Sequence, residues 1–457
     1  MTNGAERNAP CPCGSGRKYK RCCLGRDARS LTQTERRWSG DRHATDNGLT
    51  LIVETPTGVA RRRIPNASPL HTDAEQGLAA EDAVQDAASI WGLPDFVYRP
   101  TLRSRNSGVR ELGDGILLVG RLGIVVQVKS RVSLRTDIEK ERNWLVKQIG
   151  RATRQGAGTI RSLREERAEL QNARGRTITV NGNEHRWLTV VVIDHPCPPE
   201  GIQTGDLDTV VLLRRDWEFL FDQLKSTHAV ATYLERVAGE PIDLGEEPVR
   251  YYECAQADAR APAEVLDDAL VQGARTVSAA LLPLEPAASS DRASHLLVRS
   301  IFEDIATSPM DQSDERLRLH VLAELDRLPI AYRGDFGRFM LQALAVASSA
   351  KEGETLWRFR MLRGPAGHVH LGFGAGSGLT AAHRAAFSWW VQLRHHQLQQ
   401  ITNEAELTTV GVLLTPRPDR DPPWDTTMMA ASGDLELTDE ELADYRYLWD
   451  NQDTGAG

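Results

Sequence analysis

The chain has 457 residues, 40% of them hydrophobic and 26% charged, a composition ordinary for a globular protein and long enough for about three domains. No apolar run reaches the roughly 20 residues that span a bilayer. The amino-terminal MTNGAERNAPCPC carries no apolar signal-peptide core, so membrane and secreted classes are set aside and a cytoplasmic location is expected. The net charge of −8 conceals an asymmetry: residues 1–174 hold 30 Lys and Arg against 20 Asp and Glu, and the remainder holds 25 against 43. A basic front and an acidic back either turn the front toward a polyanion such as nucleic acid or let the two halves attract each other.

In chain order, the first feature is a cysteine cluster. Four of the six cysteines, Cys11, Cys13, Cys22 and Cys23, lie within the run Cys11-Pro-Cys-Gly-Ser-Gly-Arg-Lys-Tyr-Lys-Arg-Cys-Cys23. Two pairs separated by eight residues supply four thiolates to one Zn²⁺. Pro12 stiffens the first pair, and Gly14 and Gly16 permit the turn that carries the chain round the metal. Lys18, Lys20 and Arg21 offset the negative charge of a four-thiolate centre. So short a segment has almost no core, and structural zinc contributes on the order of 10–16 kcal/mol to the folding of such peptides. Residues 10–24 closely resemble the SEC-C motif, the zinc-binding element also found at the tail of the bacterial preprotein translocase motor. The resemblance implies a docking module for protein or nucleic acid, with zinc in a structural role. Cys23 stands where some members carry His.

Residues 24–48 are polar and Arg-rich and read as a linker or frayed helix. Arg61–Arg63 either touch a phosphate backbone or belong to an exposed loop. Apolar spacing predicts a helix over 73–91, ended by Gly92. Strands are expected at Phe96–Leu102, Gly115–Val119 and Ile124–Val132, then one or two helices from Ile138 to about Ala173. Further strands follow at Arg176–Val180, Trp187–Ile193 and Thr209–Leu213, and helices at Trp217–Leu224 and Ala229–Val237. His195-Pro-Cys197-Pro-Pro199 reads as a rigid loop after a strand.

Gly120-Arg-Leu-Gly123 between two apolar runs predicts a β-hairpin. With Arg121 and Leu122 as the turn, Asp114 falls opposite Lys129, and Gln127 shares the face of Lys129. A carboxylate, an amide oxygen and an ammonium then converge, a set suited to phosphodiester hydrolysis. Asp114 would bind Mg²⁺, and Gln127 would add a neutral oxygen or orient water. Lys129 would activate that water or neutralise charge on the phosphate. Glu81, on the preceding helix, would complete the metal site or act as a base. Arg131, Arg135, Lys147, Arg151 and Arg154 would line a basic wall for the DNA backbone.

Residues 70–215 thereby resemble the PD-(D/E)XK, or restriction-endonuclease-like, superfamily. The resemblance implies a mixed-sheet α/β core and a metal-dependent endonuclease acting on DNA, in defence or repair. Gln127 departs from the commoner Glu and resembles the Mrr-like Gln-x-Lys branch. A degenerate fold acting as a non-enzymatic adaptor, recruiting a protein through the zinc motif, is the alternative.

The segment 251–292 reads as a linker and 293–457 as a second α/β or α+β domain of unassigned role. Helices are expected at 314–327, 335–350 and 379–400, a strand pair near 355–373 and a strand at 408–414. The acidic tail after Gly433 reads as a final helix or a charged end. Leu371-Gly-Phe-Gly-Ala-Gly-Ser-Gly378 reads as a mobile turn, lacking the dinucleotide fingerprint and the P-loop lysine. At least one of Trp389 and Trp390 belongs to the core, and His395 and His396 mark a solvated helix end. The domain reading is 1–48 for the zinc motif and linker, 49–250 for the nuclease-like domain, and 293–457 for the last.

Overall fold

The computed structural model describes residues 48–55, 58–71, 74–99, 103–105, 108–110, 113–133, 137–205, 208–260, 291–308, 315–351, 354–363, 369–402 and 407–449. Cys11, Cys13, Cys22, Cys23, Arg135 and the linker readings over 24–47 and 261–290 lie outside these residues. The chain forms two compact units of mixed α/β structure. One comprises the described residues up to Leu118, Gly123–Phe221 and Val237–Glu253; the other comprises Val119–Leu122, Asp222–Arg236 and the described residues from Cys254 on. Asp222–Arg236, placed with the first domain by sequence, thus groups with the second unit.

The first unit opens with an antiparallel ribbon, β1 (Leu49–Thr55) and β2 (Gly58–Ile64), in which Ile52 pairs with Arg61 and Leu51 with Arg62. Arg61–Arg63 therefore belong to a strand and not to a loop. Helix α1 (Gln76–Trp91) buries Ala79, Ala80, Val84, Ala87 and Ala88. The short strands β3 (Val97–Arg99), β4 (Arg103–Arg105) and β5 (Gly108–Arg110) follow. Phe96 closes a 3₁₀ turn begun by Pro94, so the expected strand starts one residue late. The central hairpin is β6 (Gly115–Val119) and β7 (Leu122–Ser130).

Helix α2 (Ile138–Glu165) starts at Asp137, whose side chain accepts the N–H groups of Glu139 and Lys140. The helical reading of 138–173 is corrected at its end. Ala168–Asn172 forms strand β8, because Ala168, Leu170 and Asn172 alternate inward with period two. Then come β9 (Thr177–Val180), β10 (Arg186–Asp194), β11 (Gln203–Thr204), β12 (Thr209–Leu213) and helix α3 (Arg214–Leu224). Seven strands form one sheet in the order β12-β10-β7-β6-β3-β8-β9. β10 and β12 run parallel. The far ends of β7 and β10 also meet, since Arg131 N–H donates to Asp194 O at 2.9 Å, so α2 is a crossover between neighbouring parallel strands. One half of α2 packs Leu145 and Ala152 against Val191, Ile193 and Val211. Its other half packs Ile160 and Leu163 against Ile116, Leu118 and Val125. Gly156 permits the approach, because a Cβ there would lie 2.2 Å from Thr189 Cγ2.

Helix α4 (Thr227–Val237), strand β13 (Ile242–Asp243) and helix α5 (Glu247–Arg260) follow. The second unit is built on helices α6 (Arg292–Thr307), α7 (Glu315–Asp326), α8 (Ile330–Ser348), α9 (Ala381–Thr402) and α10 (Asp439–Trp449). Its four-stranded sheet is ordered β14 (Trp357–Arg363), β15 (Val369–Gly376), β16 (Thr408–Pro416), β17 (Trp424–Ser432). Only the central pair β15 and β16 is parallel, joined by α9. The glycine-rich run is not a mobile turn, because Leu371–Gly376 lies within buried β15. A Cβ on Gly372 would meet Trp390 at 2.4 Å, and one on Gly374 would meet Phe359 at 2.1 Å. Those glycines make room for a stack in which the Phe359 ring lies 4.4 Å from that of Trp390. Trp390 is core and Trp389 is partly exposed. His395 overturns the reading of a solvated end: it is fully buried, with Nε2 2.8 Å from Gly433 O and Nδ1 3.0 Å from Thr409 Oγ1.

Candidate active site

Asp114 stands at the mouth of the central hairpin, just before β6. The turn is Gly120-Arg121, with Gly120 at φ 57°, and not Arg121-Leu122. Asp114 N–H donates to Val126 O at 3.2 Å, so Asp114 does not stand opposite Lys129. The turn begins one residue earlier than the sequence expectation, which shifts the cross-strand pairs by two residues, yet the side chains still meet. Asp114 Oδ2 accepts the Val128 N–H at 2.6 Å and lies 3.4 Å from Lys129 Nζ. Lys129 Nζ also donates to Val128 O at 3.0 Å. Because Asp114 immediately precedes the strand, its carboxylate extends the ladder by accepting the Val128 N–H. Both side chains are under one-fifth exposed.

Gln127 is buried, and its Nε2 has no hydrogen-bond partner in the structure. It is closest to Gly113, where a Cβ would lie 2.8 Å from Nε2; Gly113 also holds φ at 94°. The amide therefore sits behind the Asp114 loop. Glu81 lies on α1, one turn before Gln85. Gln85 Nε2 donates to Asp114 O at 2.8 Å, and Gln85 Oε1 accepts from Arg99 at 3.0 Å. Arg99 in turn pairs with Asp82 at 3.1 Å. These contacts tie α1 to the start of β6.

The donors near Asp114 are those available to the expected Mg²⁺. The Asp114 carboxylate and the Val128 carbonyl both face the Lys129 ammonium, so two hard oxygens converge on a point already compatible with positive charge. The amide of Gln127, buried with Nε2 unpartnered, would present oxygen in its flipped orientation. Mg²⁺ keeps several waters and needs only one or two carboxylates, so this sparse set fits. Among the described residues no group of three or more His, Cys, Asp or Glu is placed to hold a metal.

Sequence reasoning missed a charged network at the carboxyl ends of β7 and β10. Arg131 Nε donates to Glu141 Oε2 at 2.8 Å, and its guanidinium lies 4.8 Å from the Trp144 ring centre. His195 Nε2 lies 3.3 Å from the same carboxylate oxygen, while its Nδ1 accepts the Cys197 N–H at 3.2 Å. Burial lowers the His195 pKa, against the pull of Glu141, which favours a neutral ring donating from Nε2. Ser130 and Arg214 both bond the Asp194 carboxylate, at 2.8 Å and 2.7 Å. Arg214 also reaches Glu218 at 2.8 Å, and Ser68 Oγ donates to Glu218 at 2.7 Å. Arg131 is accordingly a half-buried brace and not part of a free basic wall. Lys147, Arg151 and Arg154 are exposed on the side of α2 turned from the sheet. The one advance signal was position: Asp194 and His195 end a strand, and Glu141 lies in the first turn of the crossover helix.

Comparison with known proteins matches residues 7–25 to the SEC-C motif. Protein translocase subunit SecA 1 of Rhodopirellula baltica is similar over 21 residues at 81% identity, covering 5% of this chain and 2% of that protein. The chain therefore spans only a small fraction of that relative's length. No solved structure gives a significant match. No helix among the described residues is long and apolar enough to cross a membrane.

Proposed function

We propose that the first unit is a metal-dependent DNA endonuclease of the restriction-endonuclease-like class, carrying the SEC-C motif as a zinc-bound docking module. The observation that carries this reading is the meeting of Asp114, the Val128 carbonyl and Lys129 at one end of the hairpin. The order α1, β3, β6, β7, α2, β10, with α2 joining neighbouring parallel strands, agrees with that class. Asp114 and the Val128 carbonyl would hold Mg²⁺, and Gln127 would supply an oxygen. The metal, when bound, polarises the phosphate and acidifies water. Lys129 stabilises the negative charge gathering on the phosphate oxygens as water bonds to phosphorus and the ester bond to the leaving oxygen breaks. Glu81 lies on the helix braced against Asp114 and would take the water's proton. Cleavage of supercoiled plasmid with Mg²⁺ or Mn²⁺ tests the reading. Lys129→Ala should reduce cutting by at least about 100-fold while preserving the fold, and cutting at the parent rate would overturn the assignment.

A second reading rests on the Val128 N–H bond. The Asp114 carboxylate completes a β-ladder, a structural duty it would also have in a non-enzymatic adaptor. In that case Cys11, Cys13, Cys22 and Cys23 bind zinc to recruit a protein. Loss of partner capture in Cys22→Ser, with no cleavage under either metal, would favour this reading; unchanged capture would remove it.

A further inference from the structure

We infer that the outer face of α2 is a docking surface for the phosphate backbone of duplex DNA, separate from the Asp114–Lys129 site. From Arg142 to Arg164 the helix contains six basic residues and no acidic one. Arg142 is occupied, its guanidinium bonding the carbonyls of Gly201 and Glu200 at 3.1 Å and 2.7 Å. The other five, Lys147, Arg151, Arg154, Arg161 and Arg164, are exposed. Their spacings of three, four and seven residues return to one face of a 3.6-residue helix. The opposite face carries Leu145, Ala152, Gly156, Ile160 and Leu163 into the core. The five cations therefore form a stripe about 25 Å long at 1.5 Å per residue.

An ordinary solvated helix interleaves acids with bases, because like charges three or four positions apart repel and opposite ones stabilise. Here neighbouring cations stand at 147 and 151, 151 and 154, and 161 and 164, and none of the five forms an ion pair with a described residue. Gly150, Ala157 and Gly158 lie between them. The two glycines weaken a helix by up to about 1 kcal/mol each relative to Ala, while small residues allow a partner's backbone to approach. A regular row of uncompensated cations suits a polyanion of regular charge spacing, and DNA supplies that charge whatever its sequence. The surface would hold duplex without reading bases. It stands on charge and helix geometry and does not require the nuclease reading.

The test is binding of a labelled 30-base-pair duplex to the full-length protein by fluorescence anisotropy, without added divalent metal, across a salt series. Each phosphate contact contributes about 0.9 to the slope of log affinity against log salt. Replacing Lys147, Arg151 and Arg154 by Gln, a residue of similar helix propensity, should reduce that slope by about 2.7. Over a fourfold rise in salt, the variant should lose about 40-fold less affinity than the parent. Arg151→Lys with Arg154→Lys should keep the parent slope. The same charge removed from exposed Arg358, Arg360 and Arg384 of the acidic second unit should also leave it unchanged. Equal slopes in parent and Gln variant, or no binding by the parent at low salt, would overturn the proposal and leave the stripe to an acidic protein surface. The anisotropy readout needs neither cleavage nor metal, so a failure of the cleavage reading would not be confused with a failure of this one.

Discussion

The two units share an architectural class but place their polar groups differently. The first gathers Arg131, Glu141, His195, Asp194 and Arg214 where the parallel strands β7 and β10 end, beside Lys129. The second fills its sheet with stacked aromatics, with Phe359, Phe387 and Trp390 on one face and Phe373 against Phe336 on the other. Its own buried ion pair, Asp326 with Arg333 at 3.2 Å, ties helices α7 and α8 together. Asp326 also accepts the His228 N–H at 2.7 Å, which anchors α4 in the same unit. Polar groups at strand ends can hold the Asp114 hairpin in place, whereas polar groups between helices serve packing. The difference teaches that chemistry is to be sought in the first unit even though both sheets are α/β.

The largest expected effects fall on the ion pairs of both units. Asp326→Ala leaves Arg333 a buried charge without its carboxylate and should cost about 3–5 kcal/mol in denaturant unfolding, and Glu141→Ala, which leaves the half-buried Arg131, should cost less. A loss under about 1 kcal/mol in one unit alone would show that its network is solvated. Next, Lys129→Ala should reduce plasmid cleavage by about 10²–10³-fold, comparable to removal of one preorganised donor, with the melting temperature held within a few degrees. A matching loss on removing Arg333, in protein still folded, would erase the functional distinction between the units.

Acid should separate the units by sign. Burial raises Asp216 of the first unit to about 6 against the pull of Arg215. Between about pH 4 and 6 its folded carboxyl keeps a proton that the unfolded one has lost, so stability falls as pH rises, by at most about 3 kcal/mol. Burial, then Lys225 and Arg333, lowers His295 of the second unit to about 4. From about 6.5 down to 4 its unfolded ring takes up a proton that the folded ring refuses, so that unit weakens as pH falls. Unfolding followed by tryptophan fluorescence at pH 4.5 and 7 should show Asp216→Asn and His295→Gln each flattening its own trend, in opposite directions. Parallel shifts would contradict the assignment. The smallest effect is Ser68→Ala, which removes the hydroxyl bond to Glu218 and should cost about 1 kcal/mol.

Much of the local structure was legible. The apolar spacing of Val84, Ala87 and Ala88 announced α1, and the short Val- and Ile-rich runs announced β6, β7, β10 and β12. Misreadings fell where packing overrules local pattern. Ala168–Asn172 looked like a helical end because its charged neighbours continue those of α2, and β17 went unread because Trp424–Ser432 is a half-buried edge without a strong apolar period. His395 resembled a solvated pair with His396, but its partners Thr409 and Gly433 are distant in the chain.

By itself, the sequence determined the SEC-C motif, matched over residues 7–25, and the chemical types grouped near the hairpin, because both depend on residue identity at short spacing. Tertiary structure alone decided that the Asp114 N–H bonds Val126 O while its carboxylate still reaches Lys129, since a side chain at a strand mouth can bend along the ladder. It also decided that Arg131 is a half-buried brace while Lys147, Arg151 and Arg154 are exposed. Cations of one kind were sorted by which face of α2 and which strand end meet the sheet, and that sorting depends on contacts across more than fifty residues of chain, as between Glu141 and His195.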